Sequence, residues 1–512
     1  MDAELAALDS IEQFVSPHGP ELVKIYFRIV HPTFPILHKN VFLEKYGRSY
    51  RESTPIGLGA VYVLALNWWS YSQALSSLPK PDAKELEAMV LRMLVDAHRR
   101  PKISDLQGGL VLMQSPNVDS WAMTGHLVAM AQNLGINADC THWQVPDWER
   151  GVRKRVAWAL FMQDKWGALV YGRGSHIRPE DWDVQPLESS DFPETAKDDD
   201  NEEGSAEIEK GKQTFLHMVS LTQILAQILD EFFTLRALRT VRSLQSALQA
   251  AKPLQLQLKA WHVSMPLDLS LDNTVPMKLS SVGYLHLAYY TAETSLHRAI
   301  MRCHPSNAFT YSTPDSASSP VGDEHFHRLQ SISLQAAEAR FVSALEFVRR
   351  LKAEHFQSFW YFSSSVSLSI IGIFAAVLYG AASDQKDRER YLAKLAEYRW
   401  VLRISANSAP FMRYAVDVLD ACSQSLDEQV SAGSRSNAAE QSQGPWEMSV
   451  VDASEPGSGE GQPIGWVPDE TEYHGEADFM TSALDDDAGW LQGVPGNFEY
   501  EDENRYYDNS TA

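Results

Sequence analysis

The sequence predicts an all-α protein: a large multi-helix regulatory body followed by a disordered acidic C-terminal tail. Three observations lead there. Apolar residues recur at three- and four-residue spacing over most of the first 430 positions, and no alternating run bounded by turns marks more than an odd strand. The 512 residues carry 44 Lys+Arg against 67 Asp+Glu, net −23, and residues 431–512 hold 18 of those acids against only Arg435 and Arg505, net −16. That tail is also rich in Gly, Ser and Pro, as in Ser454-Glu455-Pro456-Gly457-Ser458-Gly459. It cannot bury enough apolar surface to offset its conformational entropy.

In chain order, helices are expected at Ile56–Leu75, Ala83–His98, Ser120–Leu134 and Asp147–Val170. Further helices are expected at Lys212–Leu238, Val241–Trp261, Met277–Arg302, Leu329–His355, Phe359–Gly380 and Arg388–Cys422. Two ends are well marked. Gly135 stands where a helix-terminating glycine belongs, and Pro146 with Asp147 and Glu149 supplies a first turn of the right charge. No charged residue occurs from Phe359 to Ser383. Serines dilute the first half of that run below the roughly 20 apolar residues a membrane span wants, so a buried core helix is expected and no membrane partner.

The organisation that follows is an N-terminal segment 1–19, a first part of the body 20–190, an acidic low-complexity loop 191–211, a helical continuation 212–430 and the tail 431–512. The loop, with Asp198-Asp199-Asp200-Asn201-Glu202-Glu203, is expected to be flexible and solvated.

Catalytic signatures are absent: no His-Glu-x-x-His, no phosphate loop ending Gly-Lys-Ser/Thr, no Gly-x-Ser-x-Gly. The chain is therefore expected not to be an enzyme. The rival reading is a helical terpene-cyclase-type enzyme holding magnesium on Asp198–Glu203, but a loop among Pro193, Gly204 and Ser205 is the wrong setting. Cys140, Cys303 and Cys422 are too few and too scattered for a disulfide scaffold or a multi-cysteine zinc module. Nothing pairs Cys140-Thr141-His142 with His325-Phe326-His327 as zinc ligands, so no cofactor is expected. The cations of Arg150-Gly151-Val152-Arg153-Lys154-Arg155 fan over most of a helix circumference. One of them must face the interior, with Asp164 or Asp147 the expected partner. The acidic balance argues against strong binding of a phosphate backbone by this chain alone.

The tail carries the one mechanistic signature. Phe479, Met480, Leu484, Trp490 and Leu491 are interleaved with Asp478 and Asp485–Asp487, whose mutual repulsion keeps the apolar side chains available to a partner's groove.

Several blocks in order carry a family resemblance. Tyr26-Phe27-Arg28-Ile29-Val30-His31-Pro32-Thr33-Phe34-Pro35 opens it, Ser120-Trp121-Ala122-Met123-Thr124-Gly125-His126 follows, and Ala129 to Gly135 continues it. Trp148-Glu149-Arg150, Arg153-Lys154-Arg155-Val156-Ala157-Trp158, Asp164-Lys165-Trp166 and Tyr171-Gly172-Arg173 form the most diagnostic block, closed by Ile177 and Asp181-Trp182-Asp183-Val184. Together they resemble the fungal-specific transcription factor domain, the middle homology region of fungal zinc-cluster regulators. Trp158 to His176 is most similar to the nitrogen-utilisation co-activator subgroup. The resemblance implies a nuclear transcription regulator acting on RNA polymerase II genes through the transcription machinery or a co-activator. It also implies an N-terminal six-cysteine cluster binding two zinc ions and DNA, which three cysteines cannot build. DNA is thus expected only through a partner regulator or a module outside this sequence.

The motif residues Trp121, Arg153, Arg155, Trp158, Asp164, Gly172, Arg173, Asp181 and Asp183 are read as mainly structural. Arg173 is expected to satisfy helix-end carbonyls or Asp164 or Asp181. Gly174 stands where the family has proline, which permits a looser turn.

Overall fold

A computed structural model describes residues 2–115, 120–241, 243–304 and 320–441. It divides into two compact units, Met1–Leu419 and Asp420–Ala512. Phe479, Met480, Leu484, Trp490 and Leu491 lie outside the described residues.

The helices run α1 Asp2–Val15, α2 Gly19–Ile29, α3 Lys39–Arg48, α4 Pro55–Ala65, α5 Ala83–Asp96, α6 Ile103–Leu112, α7 Ser120–Asn133 and α8 Asp147–Val170. They continue α9 Ile208–Phe232, α10 Ala237–Thr240, α11 Leu244–Ser264, α12 Val282–Arg302, α13 Pro320–Arg349, α14 Ala353–Phe356, α15 Ser364–Ala381, α16 Gln385–Ser405 and α17 Arg413–Gln441. Among the described residues there is no strand; one isolated parallel bridge joins Ala206 and Leu279. The all-α class is what the spacing predicts.

Two apolar helices sit at the centre of the first unit. Every residue of α4 from Ile56 to Ala65 is buried, and α1, α2, α5 and α6 pack around it. Gly108 lets α6 approach closely: a Cβ there would lie 2.8 Å from the Gly57 nitrogen. α15 plays the same part later in the chain, packed by α12, α13 and α16. It is the one described helix long and apolar enough to cross a membrane, and 72% of it is buried inside the protein. Its core setting follows from the serines, which lie buried at Ser364, Ser367 and Ser369. α8 lies against both α7 and α9, and Trp166 Nε1 donates to Thr222 Oγ1 of α9 at 2.9 Å.

Three of the boundaries that differ from the expectation have a cause the structure shows. The helix from Ile56 stops at Ala65 and tightens into a 3₁₀ turn over Leu66–Tyr71, kinked at Trp68. There Trp68 Nε1 donates to the Gln357 carbonyl at 2.8 Å and Trp69 Nε1 to that of Leu78 at 3.1 Å. α12 begins at Val282 rather than Met277, because Leu279 N–H donates to the Ser205 carbonyl at 3.0 Å in extended backbone. The long helix expected over Arg388–Cys422 is two, α16 and α17, separated by a turn opened by Pro410. The segment before Ile56 also holds three helices that spacing did not mark. α3 among them has no fully buried residue.

The acidic stretch from Asp191 to Glu209 departs from the expectation in one respect: residues 195–198 and 201–203 are exposed, but the stretch is tied to the body at several points. Lys154 Nζ donates to Asp191 at 2.6 Å, Arg28 to Glu202 at 2.7 Å, and Lys278 Nζ to the Asp200 carbonyl at 2.6 Å. Phe192 and Glu194 are buried, and the Ala206 N–H donates to the Arg28 carbonyl at 3.1 Å. The stretch is a strap tied across α2, α8 and the approach to α12. Asp199 caps the Ile208 N–H at 2.7 Å, so these acids are engaged locally rather than gathered about a metal.

Candidate functional site

The motif residues fall around two buried polar centres, both on α8. The first terminates that helix. Gly172, at φ +60°, lets the chain reverse, and the N–H groups of Gly172 and Arg173 donate to the carbonyls of Leu169 and Ala168 at 3.3 and 3.0 Å. The helix-end carbonyls expected to engage the Arg173 side chain are therefore met by main chain, and that side chain is exposed. The reversal brings Ser175, His176 and Ile177 back onto Asp164, which is fully buried. Asp164 accepts from the His176 N–H at 2.7 Å, the Ile177 N–H at 3.2 Å, His176 Nδ1 at 3.2 Å and the Ser175 hydroxyl. Lys165, also buried, lies 3.4 Å from it and donates to the Ile177 carbonyl at 2.7 Å. Burial alone would raise the Asp164 pKa; the His176 hydrogen bonds, Lys165 and Ser175 outweigh it and hold the group below its ordinary value.

This clasp presses His176 against Trp121, ring centroids 4.0 Å apart, over Gly125, where a Cβ would meet His176 Nε2 at 2.9 Å. Beside it, Val128, Gln132, Asn137, Leu160, Arg178, Asp181 and Trp182 line a shallow dimple with room for little more than a water molecule. Asn137 bonds the Asp181 carbonyl at 3.0 Å and accepts from the Asp183 N–H at 2.9 Å; both acid side chains are exposed. Trp158 is core, its Nε1 donating to the Gln185 carbonyl at 3.0 Å.

The second centre is Arg155, fully buried. Neither Asp164 nor Asp147 is its partner, contrary to the sequence expectation. Its guanidinium donates to the carbonyls of Pro35, Leu37 and Gly151 and lies over the Phe192 ring. Glu194 of the strap supplies the nearby negative charge. Burial pushes the Arg155 pKa down to about 10, which leaves it cationic at neutral pH. Glu194 is held well below its ordinary value although burial opposes this, through His31 at 3.3 Å and the Arg155 charge. The half-buried members of the cluster pair elsewhere: Arg150 with Asp147, Arg153 with Glu149 at 2.9 Å, and Arg153 over the Trp143 ring.

Sequence reasoning missed Ser175, His176, His31, Glu194 and Phe192 as members of these centres. Only the Ser-His pair directly after Gly172-Arg173-Gly174 was a local signal. The three cysteines do not converge. Cys140 follows α7, Cys303 ends α12 with its thiol on the Val241 carbonyl, and Cys422 lies in α17. Among the described residues no group of three His, Cys, Asp or Glu is placed to hold a metal.

Residues 23–263 match the model of the fungal specific transcription factor domain. The chain carries that domain. Both polar centres lie inside the matched residues. The transcriptional activator protein DAL81 of Saccharomyces cerevisiae is 36% identical over 435 residues, covering 78% of this chain and 43% of that protein. A transcriptional regulatory protein of Schizosaccharomyces pombe is 33% identical over 226 residues, 43% of this chain and 33% of its own. The acetamidase regulatory protein of Aspergillus fumigatus is 27% identical over 289 residues, 54% and 34% respectively. The chain thus spans less than half the length of these relatives. No solved structure matches it.

Proposed function

We propose that this chain is a nuclear transcription regulator of nutrient-utilisation genes, nitrogen among them, acting through its helical body and an activating acidic tail. The observation that carries the reading is the fungal transcription factor domain at residues 23–263, shared with an activator 36% identical over 435 residues. The acetamidase regulator among the relatives supports the nutrient assignment. The chain reaches DNA through a partner regulator or a module outside this sequence. It binds no zinc of its own, since three cysteines fall short of the implied cluster. The clasp at Asp164 and the centre at Arg155 position the body rather than react. In residues 431–512, Phe479, Met480, Leu484, Trp490 and Leu491 dock into a hydrophobic groove of the transcription machinery or a co-activator, with an affinity on the order of micromolar.

Residues 431–512 fused to an unrelated DNA-binding module are expected to activate a reporter. Replacing those five apolar residues with Ala removes most of that activity, and changing Asp485–Asp487 to Asn removes less, because acids aid encounter more than buried contact. An inactive fusion would refute the tail's role; a fusion indifferent to the five Ala changes would refute these residues.

A further inference from the structure

A short segment beyond α9 exposes two leucines beside two arginines. α9 ends at Phe232, the chain turns, and α10 follows. Leu235 is 78% exposed and Leu238 37%, with Arg236 and Arg239 exposed beside them. Leu235 and Arg236 lie in the turn that leads into α10, and Leu238 and Arg239 lie within it.

The backbone beneath is anchored. Ala237 is buried, its N–H donating to Thr234 Oγ1 at 3.1 Å, and the Leu238 N–H donates to the Thr234 carbonyl at 3.0 Å. Arg302 of α12 donates to the Phe232 carbonyl at 3.1 Å and covers the Phe233 ring. The Cys303 thiol reaches the Val241 carbonyl at 3.5 Å. The four side chains therefore project from a fixed support.

Among the described residues neither Arg236 nor Arg239 forms an ion pair, a state they share with Arg92 and Arg178; what distinguishes them is the pair of exposed leucines in the same short segment. Asp230 and Glu231 are the nearest acids in sequence and belong to the last turn of α9. In a chain of net charge −23, two arginines without a carboxylate beside two leucines in water mark a place that a partner completes.

We propose that Leu235, Arg236, Leu238 and Arg239 form a docking site for an acidic protein segment bearing apolar side chains at short intervals. Its carboxylates meet the guanidinium groups, and its apolar side chains cover the leucines. A nucleic acid would satisfy the arginines and leave Leu235 against phosphate. An anionic membrane needs a broader apolar face than one turn presents. The footprint is small, so the complex is transient, with a Kd on the order of 10–100 μM. This inference concerns the body alone and stands or falls independently of the tail.

The full chain is titrated by fluorescence anisotropy against a labelled synthetic peptide alternating Asp with Leu and Phe. Duplex DNA and phosphatidylserine vesicles serve as comparison probes. Binding is expected to weaken about 10-fold in Arg236→Glu/Arg239→Glu and about 3-fold in Leu235→Ser/Leu238→Ser. A peptide with Asn for Asp should not bind. Circular dichroism melts of both variants should overlay the parent, and Arg236→Gln/Arg239→Gln replaces the charge reversal if that variant unfolds. Equal binding by the parent and both variants would overturn the proposal. So would DNA or vesicles binding more tightly than the peptide and responding to the same changes.

Discussion

Asp164 has no solvent contact, yet it holds a full charge because donors from three consecutive residues converge on it. Its value lies in what its loss would strand. Asp164→Ala leaves the Lys165 cation buried without a carboxylate, held by Ser175, a carbonyl and the Phe161 ring, and deprives two main-chain N–H groups of their acceptor. The expected cost is about 3–5 kcal/mol, read as a lower urea midpoint. Asp164→Asn keeps an acceptor and should cost less. A midpoint unchanged in Asp164→Ala would show that the clasp does not hold the helix end. Arg155 is the opposite case, a buried cation met mostly by carbonyls, for which Glu194 supplies the compensating charge. Glu194→Ala leaves it and His31 without that carboxylate, at an expected cost of about 3 kcal/mol; retention of parental stability would mean the strap contributes nothing there.

At the level of elements, close packing rather than helix preference decides where substitutions hurt. Gly108 faces the Gly57 backbone, so Gly108→Ala forces α4 and α6 apart and is expected to destabilise by about 1–3 kcal/mol. Gly47 lies in α3, and a Cβ there meets nothing within 4 Å. Gly47→Ala should therefore stabilise by about 0.5–1 kcal/mol through helix propensity alone. Denaturant titration of the two variants checks the contrast, and destabilisation by Gly47→Ala would contradict the open space. The strap belongs to the same scale. Composition marked residues 191–209 as flexible, because Asp and Glu there outnumber apolar residues. The Glu202 carboxylate instead meets Lys24 and Arg28, that of Asp191 meets Lys154, and Lys278 donates to the Asp200 carbonyl, all from positions distant in sequence. Amide exchange should show the N–H groups of Gly204, Ala206 and Leu279 protected; exchange at free-peptide rates would restore the loop reading.

The whole body has an acid limit set by its buried imidazoles. His286, His297 and His355 are each pushed by burial down to about 4. The neutral form is the one the fold accommodates. His286 meets the Leu269 carbonyl at 2.9 Å, and His355 accepts from the Lys352 N–H at 3.0 Å. A histidine of folded pKa near 4 and unfolded pKa ~6.5 takes its proton first in the unfolded chain. Stability is thus full above pH ~6.5 and falls as the pH drops toward 4, by roughly 1 kcal/mol per histidine over the first unit below 6.5. Urea midpoints at successive pH values should show this slope, shallower in His297→Gln; a flat profile between those limits would rule it out.

What the sequence determined by itself was whatever repeats within one or two helical turns. The all-α class, the bounds of α8 at Asp147 and Val170, the glycine stop at Gly135 and the burial of α15 all follow from residue spacing and local chain chemistry. Tertiary structure alone decided which charges are paired and where long helices break. Trp68 bends its helix toward Gln357, and Arg155 finds Pro35 and Glu194 rather than Asp164. The acidic strap is ordered by cations drawn from distant parts of the chain. Such partners lie tens to hundreds of residues apart. A buried charge takes whichever group the packed helices bring within a few ångströms, and periodicity along the chain carries no record of that distance.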